Sequence, residues 1–268
     1  MSLQNRVDPF GEIHAVVARG LFTGNRGIIH DPATRTLTGR RWTTKAWIVC
    51  ACAYKERRRE VMGYNGRNGG AGWTELFFLD EVTAFAAGHR PCFECRREAA
   101  KAYAGAFGRA FGVAKPTVRM MDARLHVERW ASREHRSPPP SRSSGPIHLP
   151  PTEWGGGYPA LESRRAARLA ILSPGQGERW IGPQDRDEEG VLHAETLPNG
   201  TVITDGSNAY ALHGGQALRW SFEGYSEPLD LSRINLGAHD VITPATTVAV
   251  LRQGYQPVWH PSAGRQAS

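Results

Sequence analysis

Apolar and polar residues alternate most clearly late in the chain, over ETLPNGTVITDGSNAYALHGGQALRWSFEGY, residues 195–225. Asn199-Gly200, Asp205-Gly206 and Gly214-Gly215 punctuate the alternation as hairpin turns do, so this stretch predicts a β meander. Beyond it, Thr243-Pro244 predicts a helix start over ATTVAVLRQG, with threonine as cap and proline as first helical residue. The first half has a different texture. In IHAVVARGLFTGNRGIIHD, β-branched runs are broken by Gly and Asn, which predicts a turn at Gly24-Asn25 and a strand ending at His30. RRWTTKAWIVC predicts a strand that carries Trp47 and Ile48 into Cys50, and TELFFLD predicts another. Asp80 is placed to cap EVTAFAA, and Gly88 to end it. A second helix opens at CRREAAKAYAGAFGRAFG, with apolar spacing through Ala99, Tyr103, Ala106 and Phe107. A short extended piece and a third helix cover PTVRMMDARLHVERWASREH. GYNGRNGGAG has the composition of a flexible loop, and RSPPPSRSSGPIHLPPTEWGGGYP that of a mobile loop or linker.

With 268 residues, 40% of them hydrophobic, the chain can bury a core without staples. No apolar run reaches the length of a membrane span. The N-terminus lacks the charged-then-apolar layout of a signal peptide, so a cytoplasmic setting is expected. In that setting the four cysteines argue for metal or thiol chemistry rather than disulfides. The net charge of +7 is compatible with a polyanionic partner.

The chemistry concentrates in GHRPCFECRR, residues 88–97. Cys92-x-x-Cys95, at a turn before a helix, has the layout of half a zinc site, and helix-start N–H groups favour thiolate charge. Cys50-x-Cys52 is the candidate second half, because residues i and i+2 of a strand face the same side. The alternative is ligation by Cys50 alone with a histidine as fourth ligand, His89 first, then His30 and His126. Four thiolates would make a closed, structural zinc site. A redox pair and four simply buried thiols are the competing readings.

DEVTAFAAGHRPCFECRRE, residues 80–98, resembles the second half of the Ada-type metal-binding domain of methylphosphotriester repair and regulatory proteins. The resemblance implies zinc held by four cysteines, with Cys92 and Cys95 as the second pair and Cys50 and Cys52 in place of the first. It also implies methyl transfer from a DNA phosphotriester to a first-pair thiolate. That family separates its first pair by three residues and sets the pairs closer together. The chain has no Pro-Cys-His-Arg alkyltransferase motif, so the resemblance points to the zinc fold more than to the repair chemistry.

Arg57, Arg58 and Arg59 follow the first cysteines, and Arg90, Arg96 and Arg97 flank the second pair. Together they would make a phosphate-facing patch, diluted by Glu56, Glu60, Glu94 and Glu98. Asp122 and His126 stand four apart on one helical face, an arrangement that orients a general base or makes a surface ion pair. Glu75 could serve an open metal position. No nucleophile elbow, HExxH, P-loop or dinucleotide fingerprint occurs, and no organic cofactor is expected.

These features define an α+β protein. A zinc-stabilised N-terminal part spans 1–134, a Pro/Ser/Gly-rich loop or linker spans 135–160, and a β-rich C-terminal part spans 161–268. Both parts can belong to one compact body. The expected function is that of a zinc protein associated with DNA or RNA, a repair or regulatory accessory with no membrane partner. A metal-dependent hydrolase or nuclease with a mixed Cys/His site is the alternative, and a zinc-stapled protein-binding domain is the third reading. LRQGYQPVWHPS echoes FAAGHRPCFECR, a helix exit used twice or a repeat without its cysteines.

Overall fold

The computed structural model describes residues 2–56, 59–136, 193–231, 234 and 241–264. Arg57, Arg58 and the Pro/Ser/Gly-rich stretch from residue 137 onward lie outside the described residues. The fold is α+β, as the sequence pattern predicts. Strands β1 (Arg6–Val7), β2 (Ile13–His14) and β3 (Phe22–Asn25) come first, followed by a small hairpin of β4 (His30–Asp31) and β5 (Thr36–Leu37). Then come β6 (Ile48–Ala51), β7 (Leu76–Phe78), helix α1 (Glu81–Ala86), β8 (Arg90–Pro91), α2 (Arg97–Phe111) and α3 (Val118–Arg136). Six strands form one sheet in the order β2-β1-β7-β3-β6-β8. The meander predicted late in the chain is a four-stranded antiparallel sheet of β9 (Val202–Thr204), β10 (Ala209–His213), β11 (Gln216–Ser221) and β12 (Gly224–Asp230). Helix α4 (Ala245–Arg252) follows it.

Two local expectations are corrected. Gly24-Asn25 is not a turn, because both residues lie in β3, between β6 and β7. The glycine serves close approach: a Cβ at position 24 would stand 2.2 Å from the Ile48 carbonyl oxygen. Thr243 does not cap α4, since Pro244 is the cap residue and holds an extended ψ of 139°. The Thr243 hydroxyl instead accepts the Val202 N–H at 2.8 Å, and Glu128 of α3 accepts the Thr246 N–H at 3.0 Å.

Helix α1 sits between two cores. All six of its residues are buried, a pattern of an interior helix rather than a surface one. Ala84 and Phe85 join Val49, Leu76 and Phe78 of the large sheet, Tyr103 and Phe107 of α2, and Val250 and Leu251 of α4. Val82 and Ala86 join Val202, Ala211, Leu218 and Tyr225 of the meander. Hydrophobic clusters thus run continuously from the first half of the chain into the described part of the second. Asp80 caps α1 as expected, its Oδ1 accepting from the Thr83 N–H at 2.8 Å. Gly88 closes it at φ +83°, and a Cβ there would meet Arg129 Cγ at 2.8 Å. The echo segment also leaves its helix through a left-handed glycine, Gly254 at φ +88°. It then crosses the start of α1 rather than entering a strand: the Glu81 N–H donates to the Val258 carbonyl at 3.1 Å.

Asp80 does more than cap. Its fully buried carboxylate also accepts from the Thr83 and Tyr225 hydroxyls, both at 2.8 Å, and from the His260 N–H at 3.0 Å. Asp80→Ala leaves four donors short of an acceptor. The expected cost is about 3 kcal/mol or more, combining cap and buried-donor penalties. Urea unfolding of the variant against wild type measures it, and a loss below about 0.5 kcal/mol contradicts it.

Candidate metal centre

Three of the four cysteines meet. The Sγ atoms of Cys50, Cys92 and Cys95 all lie within 4.8 Å of one another. Three elements bring them there. Cys50 is held in β6 by its pairing with Thr23 of β3. Strand β8 runs parallel to β6, and the Cys92 N–H donates to the Val49 carbonyl at 3.0 Å, which sets Cys92 beside the Cys50 end of β6. The chain then turns, with the Arg96 N–H donating to the Cys92 carbonyl at 3.1 Å, and that turn returns Cys95 to the same place. Two backbone N–H groups point at sulfur: Glu94 N to Cys92 Sγ and Ala51 N to Cys95 Sγ, each at 3.4 Å. Such bonds favour thiolate over thiol.

The electrostatics fit a cation. The thiols of Cys50 and Cys95 donate to Cys92 and draw its pKa down to about 2, while bonding to Cys92 and Cys95 pushes Cys50 far up. One thiolate is easy to form in this group, and further ionisation meets repulsion from sulfurs already charged. A divalent metal reverses that repulsion and draws off the remaining protons. The cluster could therefore hold a metal ion. Three soft sulfur donors at this spacing match the donor set of a zinc-type centre, and a tetrahedral ion would keep a fourth position for another ligand.

Cys52, expected as the fourth ligand, lies outside the sulfur group. Same-side alternation requires extended backbone through both residues, but β6 ends at Ala51. Cys52 is exposed, and its Sγ donates to the Leu21 carbonyl at 3.4 Å. His89 is also outside the group. It is fully buried, with its ring against Phe78 and Trp47 at centroid distances of 4.6 and 5.2 Å. Its Nδ1 bonds the Ala84 carbonyl at 3.3 Å, and its Nε2 accepts from Arg26 Nε at 3.4 Å. His30 is held by Thr74 at 2.7 Å, and His126 sits edge-on to Trp42 at 5.0 Å.

The remaining candidates are engaged elsewhere. Asp122 takes a bidentate pair from Arg90, at 2.7 and 2.8 Å, instead of orienting His126. Glu75 accepts from Arg59 Nε at 2.6 Å and the Met62 N–H at 2.9 Å, clamping the loop between them. Arg96 pairs with the fully buried Glu81. Of the four arginines of the expected patch that are described, Arg59, Arg90 and Arg96 are thus matched to carboxylates, and Arg97 is exposed at the start of α2. No helix among the described residues is long and apolar enough to cross a membrane. No family model, curated protein or solved structure matches this chain.

Burial keeps His126 neutral, with its pKa lowered to about 4, and His89 is lowered further by burial and by the charges of Arg26 and Arg129. Between pH 6.5 and about 4 an unfolded His126 binds a proton that the folded chain refuses. At this group the unfolded state then holds more protons, so the His126 contribution to stability falls as pH falls through that window. Denaturant unfolding at pH 7 and pH 5 checks this, and His126→Gln is expected to flatten part of the slope. A slope unchanged in His126→Gln contradicts it.

Proposed function

We propose that this chain is a zinc-binding protein associated with nucleic acid, in which Cys50, Cys92 and Cys95 hold the metal. The observation that carries the reading is the meeting of three sulfurs from two distant parts of the chain. A metal there ties β6 to the β8–α2 turn and acts first as a staple. The fourth ligand is solvent, or Cys52 after its bend reorients. The likeness of residues 80–98 to the Ada-type domain supports zinc over other thiophilic ions. The net charge of +7 and the exposed Arg97, two residues after Cys95, support an anionic polymer as partner.

A second reading, a metal-dependent hydrolase, is favoured by one observation: three protein ligands leave a position for substrate or water. It ranks second because Glu75, Asp122 and His126 are each turned to other partners, leaving no assigned general base.

Metal analysis of the purified chain tests the reading. One zinc per chain is expected in wild type and in Cys52→Ser, and loss of binding in Cys50→Ser and Cys92→Ser. No zinc in wild type overturns the metal centre, and loss in Cys52→Ser makes it a four-thiolate site. For the partner, affinity for duplex DNA or RNA is expected to fall steeply between 50 and 200 mM salt, on the order of tenfold or more for a few phosphate contacts. A flat response removes nucleic acid from the proposal.

A further inference from the structure

Arg26 is fully buried, and among the described residues no carboxylate pairs with it directly, although Glu12 and Asp8 act on its charge from further off. Its Nη1 donates to the Gly11 carbonyl at 2.9 Å and its Nε to His89, but its Nη2 is buried with no partner. The guanidinium lies 4.0 Å from the centre of the Trp47 ring. A second guanidinium, that of Arg129 on α3, lies 4.3 Å from the same ring. Arg129 donates to the carbonyls of Leu125 and Lys45, at 2.9 and 3.1 Å, and its Nη1 is likewise buried without a partner. The Trp47 indole Nε1 is a third such donor.

These three orphans are all donors, and they gather around one side chain. Native proteins pair the great majority of buried polar atoms, so such a cluster marks a missing acceptor. The charge balance gives the sign of that acceptor. Glu12 is paired with Arg41 at 2.7 Å, Asp8 with His14 at 2.8 Å and Asp122 with Arg90 at 2.7 Å. Among the described residues no carboxylate forms an ion pair with Arg26 or Arg129. Burial, and then repulsion from Arg41 and Arg129, pull Arg26 down to about 9. Glu12 and Asp8 offset the Arg26 charge in part, and Asp122 and Glu128 that of Arg129, but none of these carboxylates reaches the orphaned donors. A water molecule would fill the hydrogen bonds without adding the negative charge that two buried guanidiniums favour. There is also a cradle: a methyl group on Gly11 would stand 3.4 Å from Arg26 Nη2 and 3.5 Å from Arg41 Nη2. Arg41, at the edge of this cradle, is 28% exposed and belongs to a stretch without regular secondary structure.

We propose that Arg26, Arg41 and Arg129, with the Trp47 indole N–H, form a binding site for a phosphate-type oxyanion, taken as inorganic phosphate or as a terminal phosphomonoester. Guanidinium forks match the geometry of phosphate oxygens, and Arg26 and Arg129, neither in an ion pair among the described residues, suit an anion. A terminal phosphate can enter a site whose donors are buried, whereas a diester inside a polymer brings chain on both sides.

Thermal unfolding of the full chain in phosphate and in chloride, at matched ionic strength and constant metal content, tests the site. Phosphate is expected to raise Tm beyond chloride. Arg26→Met and Arg129→Met are each expected to weaken that response by about tenfold or more in concentration, whatever their own Tm. If Arg26→Met does not fold, Arg129→Met decides, since Arg129 is half-buried where Arg26 is fully buried. Titration with a 5′-phosphoryl dinucleotide and its 5′-hydroxyl twin separates the sources. A phosphoryl-specific response stronger than that to phosphate assigns a terminal phosphomonoester, and an equal or weaker one assigns the free ion. The site is overturned if wild type shows no increment over chloride with either probe, or if the increment survives in the deciding variant.

Discussion

Two adjacent carboxylates at the start of α1 constrain the rest of the structure. Asp80 and Glu81 are both fully buried. Burying a carboxylate is costly unless its acceptor sites are filled, and here the fillers come from far along the chain. Asp80 takes the Tyr225 hydroxyl from the meander and the His260 N–H from the C-terminal segment. Glu81 takes Arg96 from the cysteine turn, the Tyr255 hydroxyl at 2.9 Å and the Val258 N–H at 2.9 Å. A six-residue helix is too short to be stable alone. Its charged end is instead the point where sheet, meander and cysteine turn are fastened together.

This fastening changes what the arginines near the cysteines do. Arg96 is the counter-ion of Glu81, and Arg90 that of Asp122. Their proximity to Cys92 and Cys95 in sequence is explained by support of the turn, since each guanidinium anchors one side of it to a helix. Arg96 also lies over the Phe22 ring at 4.3 Å, tying the turn to β3. Arg26 and Arg129, at Trp47, are instead guanidiniums outside any ion pair among the described residues. Charge counted along the chain and charge left after pairing in space therefore point to different places.

Much of the fold was legible because its signals are local. The meander followed from alternation and Gly-containing turns, and α1 from a capping aspartate and a closing glycine. The sulfur group was legible as far as Cys50, Cys92 and Cys95. Cys52 stands outside that group: the sequence does not mark where β6 stops, and one residue beyond the last ladder pair the alternation rule has no backbone to act on. Gly24 read as a turn because close approach of two strands leaves the same residue in the sequence as a tight bend does. Arg26 gave no signal at all: GNRG has the composition of a surface loop, and burial of its arginine depends on Trp47, His89 and Gly11 arriving from three other segments.

The way the sulfurs are held bears on what a metal contributes. The Cys50 end of the group is fixed by the β3–β6 ladder and the Cys92 end by the β6–β8 ladder, both made of backbone hydrogen bonds. The Cys95 end depends on a turn whose Arg96 is anchored to a buried carboxylate. The scaffold therefore has its own sources of order, unlike a small zinc domain whose only core is its metal. A metal held there would meet preformed geometry: it would relieve the repulsion among three close sulfurs at little cost in ordering entropy. A metal there would add a clasp between β6 and the β8–α2 turn to a fold that already has other fastenings.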